Sequence, residues 1–163
     1  MNQHEQHRYR AHCHWDGSTA AGYAAYSREH RGECPPAEAT VHLSADPAFR
    51  GTHERLNPEQ LVVLAASSCQ LLSFLAMAAR AGVDVRRYDD AAEAVMSHAA
   101  EPIGLTHIWL RPRIVVSGDT PVERLHALVE QAHRECYIAN SLRCEVSVRP
   151  TFVHRPGGTG DAG

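Results

Sequence analysis

No two cysteines in this sequence are spaced C-x-x-C, so neither a zinc ribbon nor a thioredoxin-like redox motif is supported. A basic excess is missing too. The net charge is −3 with histidine neutral, which offers no electrostatic field for nucleic acid or an anionic membrane surface. No basic-then-apolar segment opens the chain: "MNQHEQHRYR" is polar throughout, so a secretory signal is not expected and a cytoplasmic location is. In that reducing setting the odd number of cysteines (13, 34, 69, 136 and 144) argues against a structural disulfide framework. The longest apolar run, Leu61 to Ala79, is interrupted by Ser67, Ser68, Gln70 and Ser73 and lies mid-chain, predicting a core helix rather than a membrane span. No internal repeat is present.

What remains is an ordinary globular composition, 44% hydrophobic and 21% charged over 163 residues. It suits one domain, residues 1–154, followed by a disordered tail, "RPGGTGDAG", at 155–163. His7 to Trp15 and Ala20 to Tyr26 flank the turn signal "DGS" and predict a first hairpin, and "ATVHLSA" predicts a third strand. "REHRGECPP" and "DPAFRGTHERLNP" read as loops. The long helix is well punctuated: Asn57 suits the N-cap, Pro58 the first helical position, Gln60 a capping box, and Gly82 the C-terminal cap. A second amphipathic helix is expected from Thr120 as N-cap and Pro121, with Val122, Leu125, Leu128, Val129 and Ala132 as its apolar stripe. "LTHIWLRPRIVVS" reads as a strand with an edge or bulge at Pro112, and "CEVSVRPTF" as the last strand. Between them and the long helix, "VRRYDDAAEAVMSHAAE" is helix by composition but has no 3.6-residue stripe. The order of elements argues an α+β domain.

Cys69 stands behind two serines in the long apolar helix, and Cys136 at or just past the end of the second. Each alone is a packed core residue by default. Taken in order, however, "FRG" (Phe49–Gly51), "NPEQL" (Asn57–Leu61), Cys69 within the following helix and "CYIANSL" from Cys136 form a set. That set, with "GLTHIWLRPRIVV", resembles the OsmC/Ohr family, the osmotically induced protein C and organic hydroperoxide resistance proteins, over roughly Arg8 to Phe152.

The resemblance implies an OsmC-like α+β fold, with antiparallel sheets packed around a long central apolar helix in an intertwined homodimer whose sites lie at the interface. It also places a strand where Arg87 to His98 lies. By the same resemblance Cys69 is the peroxidatic cysteine, Cys136 the resolving one, and Glu59 the partner of an activating arginine. Arg50 of "AFRG" fits that arginine best, with Arg55 its competitor. The implied activity is thiol-dependent reduction of organic hydroperoxides without a cofactor. An external dithiol, a lipoyl group among the candidates, would be the reductant.

The chemistry of the residues agrees. Attack on an O–O bond needs a thiolate, and an ordinary thiol is mostly protonated at neutral pH. Cys69 lies about three turns into its helix, beyond the dipole's reach, so a side-chain cation must activate it. Arginine stays charged in a semi-apolar pocket, and a glutamate can hold its guanidinium by a bidentate pair. Leu72, Phe74, Leu75, Phe49 or Tyr137 would supply an apolar lining for an alkyl hydroperoxide. A non-catalytic binder of small apolar ligands on the same fold is the alternative.

Other groups carry blander readings. Of the 12 histidines, His12 and His14 share one face of a presumed strand, with His4 and His7 nearby. No carboxylate or cysteine spacing completes a tetrahedral site there, so no metal is expected. Cys13 and Cys144 are expected to pack in strands, Cys34 to be an exposed loop thiol, His133 a surface residue, and Asp89 and Asp90 a solvated strand start.

Overall fold

A computed structural model describes residues 6–156; His4 and the part of the expected tail from residue 157 lie outside the described residues. The chain divides into two compact units, one up to Leu61 and one from Val62.

In the first unit β1 (His12–His14), β2 (His30–Glu33) and β3 (Thr40–Leu43) form an antiparallel sheet in that order. The expected first hairpin therefore returns through His30–Glu33, inside a stretch read as loop, and not through Ala20 to Tyr26. Those residues are turns, with Gly22 at φ +88°, a backbone state incompatible with an extended strand. Arg28 holds this turn region together. Its guanidinium lies over the rings of Tyr26 (3.7 Å) and Tyr23 (4.6 Å) and donates to both residues' carbonyl oxygens.

A 3-10 turn, Pro47–Phe49, follows β3, capped by Asp46 Oδ1, which accepts from the Ala48 amide at 2.8 Å, and closed by Arg50 in the left-handed region at φ 65°. Gly51 explains why the motif ends in glycine: a Cβ there would sit 1.6 Å from the Ala45 carbonyl oxygen. Gly51→Ala should accordingly cost about 3 kcal/mol, the upper part of the overpacking range. A urea midpoint within error of the parent protein would refute that reading of the loop.

α1 (Pro58–Arg80) begins as its sequence predicts. Asn57 Oδ1 accepts from the Gln60 amide at 2.8 Å and Gln60 Oε1 accepts from the Asn57 amide at 3.0 Å, a reciprocal capping box. Gly82, at φ 71°, lets the chain turn off the helix end.

The second unit is built on a long bent ribbon. β4 (Asp84–Asp90) pairs antiparallel with β7 (Pro112–Ser117), and β5 (Glu93–Ser97) with β6 (Gly104–Leu110). The segment that composition left ambiguous is thus two strands. Tyr88, Asp90, Ala92, Ala94 and Met96 are half-buried on one side while Asp89, Ala91, Glu93 and Val95 are exposed, a two-residue period. The ribbon bends between the two sheets, where Asp90 accepts from the Arg111 amide and from Ser67 Oγ of α1, both at 2.6 Å. Asp90 is therefore half-buried and bonded, not the solvated residue expected; Asp89 pairs with Arg87 on the exposed side.

"LTHIWLRPRIVVS" is likewise two strands, and Pro112, lacking an N–H, opens the second. The last strand also divides, at Pro150, into β8 (Glu145–Val148) and β9 (Thr151–Arg155), so Arg155 belongs to a strand. β8 lies parallel to β6, and β9 parallel to β7. The two sheets, ordered β4-β7-β9 and β5-β6-β8, are mixed and not purely antiparallel, because the chain returns through helical segments after β7.

Those segments are α2 (Val122–Arg134) and α3 (Tyr137–Ser141). Pro121, not Thr120, is the N-cap of α2, and no side-chain cap bond forms. Leu125, Leu128, Val129 and Ala132 are buried as expected, whereas Val122 is exposed. They meet Phe74, Met77 and Ala78 of α1 and Ile114 and Val116 of β7 in one core cluster; Ala66, Ile108 and Leu110 centre a second.

α1 is long and apolar enough to cross a membrane by composition. One side of it, Ala66, Gln70, Phe74, Met77 and Ala78, is nevertheless core. The opposite stripe, Leu64, Ser68, Leu72, Leu75 and Ala79, is exposed.

Candidate functional site

The second unit brings Cys69 and Cys136 together. Cys69 is half-buried on α1, and Cys136, 1% exposed, sits at the N-cap of α3 in an extended conformation. α2 ends in a turn whose last bond runs from the Cys136 amide to the His133 carbonyl at 3.2 Å, and this lays the thiol against α1. Burial pushes the Cys136 thiol up to about 11; the neighbouring Cys69 thiol pushes the same way, while the amides of Ala139 and Ile138 oppose it. No disulfide joins the two cysteines.

Tyr88 is a neighbour that the sequence did not flag. Burial first, then the charge of Asp90 and then Cys136, hold its phenol above the ordinary range, and its hydroxyl is buried without a partner. The two-residue alternation of β4 was the available signal, since it puts Tyr88 on the inner side. His133, expected at the surface, is half-buried with Nδ1 unpartnered.

The first unit holds the other expected residues. Glu59, half-buried in the first turn of α1, lines a cavity of about 380 Å³ together with Trp15, Tyr26, Arg28, Phe49 and Ser44. Ser44, in the wall of this largely apolar cavity, is fully buried and its hydroxyl has no partner. Arg50 is exposed, its guanidinium 5.8 Å from the Tyr23 ring centroid. Arg55 lines a smaller recess with Asp46, Asn57 and Gln60. Among the described residues neither arginine forms an ion pair with Glu59. The arginine that shares the Glu59 cavity is Arg28, which sequence reasoning missed because its segment was read as plain loop.

Glu59 and Cys69 stand ten residues apart on one unbroken helix. At 1.5 Å per residue their backbones are about 15 Å apart, so a group ion-paired to Glu59 is not thereby delivered to the Cys69 of the same helix. Of the expected apolar lining, Phe49 borders the cavity, Phe74 is instead core, and Leu72, Leu75 and Tyr137 are exposed. Cys34 is exposed as expected; Cys144 packs against the second core cluster as expected but lies in the bend before β8 and not in a strand, and Cys13, in β1, is exposed and not packed.

Known proteins share this fold. An OsmC-like protein of unknown function from Vibrio cholerae is 28% identical, with TM-score 0.80 over 91% of this chain and 100% of its own. An OsmC-like protein from Mycoplasma pneumoniae is 14% identical, with TM-score 0.72 over 92% and 100%. An organic hydroperoxide resistance protein from Elizabethkingia anophelis is 16% identical, with TM-score 0.69 over 94% and 100%. Comparison with curated proteins yields no match. The OsmC-like protein family matches residues 51–151, a span holding Glu59, Cys69 and Cys136. The chain belongs to the OsmC-like family.

Proposed function

We propose that the chain is a thiol-dependent peroxidase that reduces organic hydroperoxides to alcohols in the cytoplasm. The observation that carries this reading is the contact of two free thiols, Cys69 and Cys136, in a family that includes proteins named for organic hydroperoxide resistance. The Cys69 thiolate attacks the terminal peroxide oxygen; an S–O bond forms, the O–O bond breaks, and the alkoxide leaves as alcohol after taking a proton. Cys136 then attacks the sulfenic sulfur. The disulfide forms, and hydroxide departs as water with the Cys136 proton. An external dithiol, with a lipoyl group the first candidate, takes up the disulfide and returns both thiols.

The high position of Cys136, about 11, supports this division of labour. It stays a thiol at neutral pH and does not compete for peroxide, since the thiolate is the nucleophile. Arg50 of one copy of the chain, held by Glu59 of that copy, supplies the cation for the Cys69 thiolate of another copy. Arg50→Ala should slow alkylation of Cys69 by iodoacetamide at neutral pH severalfold, because the thiolate loses its neighbouring cation. Arg55→Ala should do much less. A larger effect from Arg55→Ala moves the role there, and a larger one from Arg28→Ala assigns it to the residue that shares the Glu59 cavity.

The overall test is peroxide-dependent loss of two thiols per chain, followed by turnover with cumene hydroperoxide in preference to hydrogen peroxide. The apolar cavity favours a second reading, a non-catalytic binder of small apolar ligands. Under that reading no thiol is lost.

A further inference from the structure

The exposed face of the first sheet carries a side-chain cluster that the peroxidase chemistry does not use. His12 and His14 are separated by one residue on β1 and so project to the same side, their ring centroids 6.4 Å apart. The register pairs His12 with Glu33 of β2 directly and His14 with Arg31. Each of His12, His14 and Glu33 thereby offers one ligand atom, all within 4.8 Å of one another. The sequence could not supply this carboxylate, because β2 lies in a stretch that reads as loop.

We propose that His12, His14 and Glu33 bind a borderline divalent metal ion, with zinc the type case, leaving a fourth position to water. Two imidazoles and a carboxylate select zinc-class ions over calcium or magnesium, which prefer all-oxygen sets. Bonds of 2.0–2.1 Å in a tetrahedron put ligand atoms about 3.4 Å apart. The present cluster must therefore contract by about 1.4 Å on its longest edge, which χ rotations of exposed side chains permit. Arg31 Nε stands 3.6 Å from Glu33 Oε1, so one carboxylate oxygen faces the arginine and the other remains for the metal. Cys13 alternates to the opposite face, opposite Gly32, and contributes no thiolate. His42, paired with Arg31 from β3, shares the face but lies one strand farther from β1 and outside the ligand set. A bound ion would clamp β1, the three-residue edge strand, to β2.

Cobalt(II), a spectroscopic substitute for zinc, tests the site on the full chain. We expect one equivalent to bind with the intense visible bands of a tetrahedral ion, and zinc to displace it and raise the melting temperature. His14→Ala and the near-isosteric Glu33→Gln should each weaken binding at least tenfold, whereas His42→Ala should leave it unchanged. All three substitutions are in the exposed or half-buried part of a short sheet, and circular dichroism checks that the fold is kept. Absence of binding overturns the proposal. So does binding that survives both ligand variants, and so does binding lost in Cys69→Ser, which would mark the redox thiols as the metal's seat.

Discussion

Cys69→Ser is expected to abolish hydroperoxide turnover with the fold intact, because the substitution is nearly isosteric at a half-buried position and removes only the nucleophile. Cys136→Ser should behave differently: one oxidation of Cys69, then a stall at the sulfenic acid, with over-oxidation to the sulfinic form at excess peroxide. The parent protein given one equivalent of alkyl hydroperoxide should form a Cys69–Cys136 disulfide, read by mass mapping of peptides. Labelling before peroxide should favour Cys69, since Cys136 remains protonated until pH approaches about 11. The proton sign matters here: burial penalises the thiolate, so raising pH makes Cys136 more reactive and lowering it does not. A map that links Cys69 elsewhere, or leaves it reduced, refutes the pairing. Cys13 and Cys34 are the internal controls, being exposed thiols outside the second unit.

How much of this was legible in the sequence depended on whether the signal was local. The capping box at Asn57 and Gln60 was legible because it is a four-residue hydrogen-bonding motif, and both bonds are present. Gly82 was legible for the same reason. β2 was not, because "HRGE" has neither alternation nor β-branched residues; it is a strand only because β1 and β3 flank it. That one omission hid both Glu33, opposite His12, and the strand-leading position of Arg28. The breaks at Arg111 and Pro150 fall beside prolines, but Pro112 reads as an edge or bulge and "CEVSVRPTF" as one strand, since nothing local says that the chain continues into another sheet. The Cys69–Cys136 contact joins residues from α1 and the start of α3, and the family resemblance was what linked them before any geometry did. Arg50 was assigned by motif as well. Its left-handed φ of 65° and the close approach of Gly51 to Ala45 show that the "FRG" segment also has a backbone role.

Mixing Cys69→Ser chains with Glu59→Ala chains is expected to restore activity that neither has alone. The reason is spatial. Glu59 and Cys69 are held about 15 Å apart along α1, so an arginine fixed by Glu59 must serve a thiol from another copy of the chain if the family's pair of roles applies. The exposed stripe of the same helix says where that copy would dock. Leu64, Leu72 and Leu75 are 58%, 64% and 38% exposed, with small Ser68 and Ala79 between and beyond them. Burying such leucines is worth about 1.5–3 kcal/mol each, and a two-fold axis counts every one twice. In a two-fold dimer of one chain of each kind, one site combines the intact Cys69 with the intact Glu59 and the other carries both lesions. Random exchange of equal amounts makes half the dimers mixed, so about a quarter of the parent activity should return. Leu72→Glu should prevent both dimerisation and the rescue, because it puts a charge into the buried stripe. A chain that is fully active as a monomer in sedimentation, or mixtures that never exceed their parents, would show that each chain completes its own site.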